Sequence, residues 1–316
     1  MSANPRQPES PATFLQTITP YLQLIRLPNV VTAAADSLAG WLLVIGSAAD
    51  PGHWLPLTAA SMVLYASGTA LNDVFDVEID RSERPGRPLP SGRVSYKTAA
   101  WLGGSGLLIG PALALVSGSM KSALVATILA LFILAYNAGL KHTWVGPLFM
   151  GSCRGLNLLL GMSHAQALGG PIAWSAAVAY GLYVVGITVM SRSETSGGVR
   201  GGLVAGLGLQ DLALLGLAGV TLAHDRFPQP DPERPLIPLE GLLVLALVAL
   251  AVNSVGSRAI KEPIPELIQK SVKTGILSLV WLHVGIVAGV RGLEPATYVA
   301  FLWIPAYLLG RWLYST

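Results

Sequence analysis

Three carboxylates stand at the end of an apolar run: Asp73, Asp76 and Asp80. On a continuous helix that spacing puts them on one face. Asn72 adds a neutral oxygen beside them. Like charges stacked this way repel, by tenths of a kcal/mol per pair in water and by more near lipid. A compensating cation is therefore expected. Rows of carboxylate oxygens suit a hard ion, and Mg2+ takes one or two carboxylates together with phosphate oxygens. The chain then continues Arg81-Ser82-Glu83-Arg84-Pro85-Gly86-Arg87-Pro88-Leu89-Pro90-Ser91-Gly92-Arg93. Guanidinium groups offer paired donors to phosphate. Acids for a metal beside arginines for phosphate read as a diphosphate–Mg2+ site. The plainer alternative is a solvated loop with local ion pairs and arginines that orient the chain. Three aligned acids closing an apolar run are poorly explained by it.

Composition says what kind of element carries these acids. Only 12% of the 316 residues are charged, against roughly 25% in a soluble domain. Hydrophobic residues make up 52%, and the mean hydropathy is +0.58. This excludes a soluble domain, a disordered chain and a nucleic-acid-binding module. It predicts an all-α, polytopic membrane bundle. Apolar runs lie near 27–48, 54–74, 97–117, 121–140, 145–166, 171–190, 201–223, 236–257, 271–290 and 295–313. Each approaches the ~20 residues that cross a bilayer core. That makes nine helices, or ten if the last one spans. Pro305 interrupts the last, and Trp303, Trp312 and Tyr314 are candidate interfacial anchors. Residues 1–20 read as a short cytoplasmic tail without the pattern of a cleaved signal peptide, and 21–316 as a single domain. Cys153 is the one cysteine, so no internal disulfide or cysteine-based metal cluster is possible.

The cations orient the bundle. Fifteen of the 20 Lys and Arg residues fall in segments on one side, including the arginines at 81, 84, 87 and 93. Lys121, Arg226, Arg234 and Arg291 fall on the other, and Arg154 lies inside a span. By the positive-inside rule the acid cluster and both termini of a ten-helix chain face the cytoplasm. A bacterial inner membrane is the expected location.

Charge within a span is costly and therefore informative. Arg154 reads either as a group that recognises a polar part of a substrate or as a structural partner of Asp36 or Asp211. Asn157, three residues on, shares its face. His164 reads as an interfacial residue and Cys153 as packing. The glycines at 103, 104, 106, 110, 201, 202, 206 and 208 suit close helix packing. Gly104-Ser105-Gly106 follows no strand and is no nucleotide fingerprint.

Asn72-Asp73-x-x-Asp76-x-x-x-Asp80 with Arg87-Pro88-Leu89-Pro90-Ser91-Gly92 resembles the first signature of the UbiA superfamily of intramembrane prenyltransferases. Arg26-Leu27-Pro28-Asn29 resembles the motif that opens that family's first helix, and Tyr136 with Lys141 a pair that closes its fourth. The string from Gly151 to Met162 and the end Gly310-Arg311-Trp312 look most like the UbiA-like proteins called EboC. The resemblance implies a bundle of about nine helices around a cavity. It also implies Mg2+-dependent transfer of an isoprenyl chain from an allylic diphosphate to a small lipid-soluble acceptor. It makes Asp73, Asp76 and Asp80 metal ligands, with Asn29, Asn72, Arg87, Tyr136 and Lys141 around the diphosphate. Arg154 and Asn157 fall on the substrate side. A second acidic motif is implied after the sixth helix, where this chain reads Met190-Ser191-Arg192-Ser193-Glu194. Glu194 can serve as its second acid, but Met190 stands where the first is expected. Restoring that acid with Met190→Asp would tighten metal binding if the second site is a degraded one. Two functions follow from different classes: a prenyltransferase, and a non-catalytic protein that binds or helps export a prenyl lipid or small metabolite. Tyr136, Tyr180 and Tyr183 are candidates to face a cationic allylic fragment.

Overall fold

The computed structural model describes residues 14–195, 200–228, 230, 232–233, 235 and 237–314. Helices dominate because a backbone in lipid must satisfy its own polar groups, and a helix does so within one segment. Among the described residues there is no strand.

The chain opens with α1 (Phe14–Leu24), which lies partly inside the expected tail, and α2 (Leu27–Ile45). Arg26 joins them in the left-handed region, with φ 51°. Thr69 Oγ1 donates to Ile25 O at 3.0 Å and holds this corner. Pro28 then starts α2, where its missing N–H costs nothing. α2 is buried along nearly its whole length and packs on much of the bundle, as a helix apolar all round should.

Next come α3 (Pro51–Phe75), α4 (Val77–Glu83), α5 (Tyr96–Val116) and α6 (Met120–Asn137). Ser95 and Ser119 cap the last two by accepting from the N–H groups of Thr98 and Ser122. α7 (Gly146–Met162), α8 (Gly170–Thr195), α9 (Arg200–Leu222) and α10 (Leu239–Lys261) follow. The chain closes with α11 (Pro265–Leu277), α12 (Leu279–Arg291), α13 (Leu293–Phe301) and α14 (Trp303–Tyr314).

Among the described residues seven segments are long and apolar enough to cross a membrane: α2, α5, α6, α8, α9, α10, and α11 with α12 taken together. The runs expected at 271–290 and 295–313 are each broken, at Ser278 and at Leu302. Ser278 Oγ donates back to Thr274 O at 2.9 Å, a bond that bends helices.

Small residues set the closest approach of α3 and α5. A Cβ on Gly103 would sit 2.6 Å from Leu71 Cγ, so only glycine fits there. Gly104 and Gly208 have open space beside them and take no part in such packing.

Candidate functional site

The acid string does not lie on one continuous helix. α3 ends at Phe75, and Asp76 is the junction residue, with φ −96° and ψ 4°. α4 starts afresh from it, so the expected shared face is broken. Asp73 and Asp80 stay together and are nearly fully buried. Arg87 Nη1 joins them, 2.6 Å from Asp80 Oδ2 and 3.5 Å from Asp73 Oδ1. Arg26 adds a second guanidinium, 3.4 Å from Asp73 Oδ1. Asp76 turns the other way. Its Oδ2 accepts from Asn72 Nδ2 at 3.1 Å, and its Oδ1 lies 2.7 Å from Lys141 Nζ.

The flanking chain fixes these cations. The 3-10 turn Leu140–His142 presents Lys141. Arg192 on α8 donates to Lys141 O at 2.7 Å and Thr143 O at 2.8 Å, tying that turn to the bundle. Arg93 reaches from the Arg-Pro loop to Gln23 Oε1 at 3.0 Å and Gly86 O at 2.7 Å. Lys141 also lies 3.5 Å from Asn72 Oδ1, so the fourth and second predicted spans meet at this one point.

Among the described residues no three His, Cys, Asp or Glu side chains converge as a ready metal cage. Arginine and lysine stand between Asp73, Asp76 and Asp80. The donor set still fits Mg2+ in kind, because it is all hard oxygen. Asp76 Oδ1 supports the fit. It is buried, and although Lys141 Nζ is near, it receives no directed hydrogen bond. The side chain of Glu194 lies outside the described residues. Met190, where an acid was expected, is 1% exposed and packed among Leu203, Ala259 and Ile268. Gln210 Nε2 lies 3.0 Å from its Sδ. It faces an apolar cluster rather than the acids.

A cavity of about 100 Å3 lies beside Arg26 and Asn72, the partners of Asp73 and Asp76. Arg26, Asn72 and Tyr136 line it, with Leu64, Leu129, Ile133 and Met150 among its apolar walls. Arg154 and Asn157 line it too. Arg154 serves both readings of the sequence. It faces the cavity, and it pairs with Asp36 through Nη1–Oδ2 at 2.7 Å. Its second nitrogen donates to Thr32 Oγ1 at 3.1 Å, and its guanidinium lies 4.6 Å from the Tyr65 ring centre. Asn157 Nδ2 donates to Asp36 Oδ2 at 3.0 Å, while its Oδ1 is buried without a partner. Asp211 instead accepts from Asn253 at 2.6 Å.

Asp36 collects more partners than the sequence suggested. Tyr180 donates to Oδ1 at 2.6 Å, and His283 Nε2 lies 2.9 Å from the same oxygen. Tyr180 is thus a structural donor, and Tyr183 is fully buried. Neither lines the cavity. Tyr136 does, and Tyr65 joins it. The signal for Tyr65 lay seven residues before Asn72, on the same helix face. Nothing in the sequence pointed to His283. Asn29 lines a different crevice, described below.

Residues 35–223 match the UbiA prenyltransferase family. The chain belongs to the UbiA prenyltransferase family. A digeranylgeranylglyceryl phosphate synthase of Metallosphaera sedula is 33% identical over 145 residues, covering 46% of this chain and 51% of that protein. The chain spans about half the length of the curated relatives it matches. These relatives are synthases of that name rather than EboC-type proteins. A solved structure described as concerning digeranylgeranylglyceryl phosphate synthase in membranes superposes with TM-score 0.64 at 22% identity, covering 87% of this chain and 99% of that one. A UbiA homolog from Archaeoglobus fulgidus bound to DMAPP and Mg2+ superposes with TM-score 0.59 at 15% identity, covering 81% and 97%. Both likenesses bear on the fold: an all-helical UbiA-like bundle of an integral, multi-pass membrane protein.

Proposed function

We propose that this UbiA-family protein transfers an isoprenyl group from an allylic diphosphate to a small lipid-soluble acceptor inside the membrane. The observation that carries the reading is the collar of Arg26, Arg87 and Lys141 around the acids, with Arg26 and Asn72 also lining a largely apolar cavity. A diphosphate is the anion that such a collar suits, and the cavity suits its hydrocarbon tail. The Archaeoglobus fulgidus homolog, bound to DMAPP and Mg2+, supports the ligand class.

Asp73, Asp76 and Asn72, with Asp80 beside them, would hold Mg2+. When bound, the ion supplies Lewis-acid stabilisation of the departing diphosphate. Arg87 and Lys141 neutralise further phosphate oxygens as the allylic C–O bond lengthens. Tyr136 and Tyr65 offer ring faces to the positive charge that grows on the allylic carbon. Arg154, held by Asp36, directs its remaining donor capacity at the polar part of the acceptor. The apolar walls keep bulk water from that carbon. The acid mouth faces the cytoplasm, in a bundle of nine or ten crossings.

The finer likeness to EboC-type proteins rests on the string from Gly151 to Met162 and on the C-terminal segment. One observation favours a binding protein that does not transfer. Met190 stands where the first acid of a second motif is expected, packed and uncharged, with Gln210 beside it. Diphosphate release separates the two readings. Purified protein given geranylgeranyl diphosphate, Mg2+ and a panel of acceptors should release diphosphate, and EDTA should stop it. Retention of the prenyl diphosphate with no release under any condition would establish the binding protein instead.

A further inference from the structure

A second cavity, of about 400 Å3, opens between the start of α2, α11 and α14. It shares no lining residue with the central cavity. Two cations line it, Lys273 on α11 and Arg311 on α14. Among the described residues no Asp or Glu lines it, and neither cation has an ion-pair partner. Asn29 and Gln269 add polar groups whose side chains make no hydrogen bond to described residues. Both cations are exposed, so an anion from outside the protein can reach them.

The crevice is built, not incidental. α14 packs along α2, with Gly310 beside Pro28. Gln23 Nε2 donates to Leu313 O at 3.2 Å and ties the end of α14 to α1. Trp303 stacks on Tyr307 at 4.9 Å and meets Trp281 of α12 at 6.0 Å. These contacts fix the wall that carries Arg311. Below the cations the lining turns apolar, with Val272, Ile276 and Ala306. A charged rim over an apolar slot matches an amphiphile with a phosphate head and hydrocarbon chains. Basic pockets between membrane helices bind such heads.

We propose that this crevice binds the phosphate head of an anionic membrane lipid, gripped by Lys273 and Arg311, with its chains along α11 and α14. The guanidinium of Arg311 takes two phosphate oxygens and Lys273 a third as a point charge. Asn29 donates from the α2 side. The crevice is also wired to the central cavity. Thr32 lines it, and the Thr32 hydroxyl accepts from Arg154 at 3.1 Å.

The test is native mass spectrometry of the full chain in detergent. The probes are dioleoyl phosphatidic acid, dioleoyl phosphatidylcholine and inorganic phosphate. The expected result is one retained phosphatidic acid per chain in preference to phosphatidylcholine. The double variant K273Q/R311Q should lower that retention at least tenfold, while Lys121→Gln on the opposite side leaves it unchanged. An unaltered unfolding midpoint of the double variant shows that it is folded. Should that variant unfold, each single variant is read alone, with an expected loss of severalfold. Equal retention of the two lipids, or retention untouched by the variants, would overturn the proposal. So would displacement of the lipid by millimolar inorganic phosphate, which would make the occupant a free anion.

Discussion

Arg154 Nη1 donates to Asp36 Oδ2 at 2.7 Å, joining α7 to α2 across 118 residues of sequence. The carboxylate also receives Asn157 and Tyr180 and meets His283, so four helices converge on one buried charge. Removing one member of a buried ion pair strands the other, at a cost of about 3–5 kcal/mol. Asp36→Ala is expected to lower stability by about that amount, read as a drop in the thermal unfolding midpoint in detergent. An unchanged midpoint would mean that the four partners satisfy one another without it.

Asp76 sits between α3 and α4 and faces Lys141. Asp76→Ala is expected to abolish Mg2+-dependent binding of a prenyl diphosphate, measured by isothermal titration calorimetry. EDTA should have the same effect on the parent protein. Binding that survives both would remove the metal assignment.

Met190 is packed among Leu203, Ala259 and Ile268, away from the acids. The sequence reading expects tighter metal binding from an acid restored there if the second site is a degraded one; the packing of Met190 predicts otherwise. Met190→Asp would bury an unpaired carboxylate, which raises the free energy by several kcal/mol. The expected outcome is a lower unfolding midpoint with no tightening of Mg2+ affinity. Tighter binding would show that α8 turns this face toward the diphosphate.

Gly103 admits Leu71 at a distance that no Cβ tolerates, and Leu71 precedes Asn72. Gly103→Val is expected to push α5 from α3, at a cost of about 1–3 kcal/mol. Because the displaced turn carries Asn72 and Asp73, diphosphate affinity should fall with stability. A loss of stability alone, with affinity kept, would show that the acid turn is held from its other side.

The helices were legible because lipid imposes the same demand on every crossing segment. The run read at 54–74 is α3 at Pro51–Phe75, and that read at 121–140 is α6 at Met120–Asn137. The acids, Arg87 and Lys141 were legible as one site because a membrane chain keeps few charges without reason. The break at Asp76 was not, since nothing in Phe75-Asp76-Val77 forbids helix. Nor was His283, which meets Asp36 from 247 residues away and carries no local pattern. Asn29 was assigned to the diphosphate by its place beside Arg26. Arg26 precedes α2 in the left-handed region rather than on the helix, and Asn29, on the helix, enters another crevice.

α2 carries Arg26 at its start, Asn29 and Thr32 on the next turns, and Asp36 one turn deeper. Each meets a different partner: Asp73, the Lys273 crevice, Arg154, and the four-helix junction. One extra residue anywhere between 27 and 35 would rotate everything on one side of it by about 100° and shift it by about 1.5 Å. All of these appointments could not then be kept together. α2 cannot change length, and it acts as the molecule's register bar.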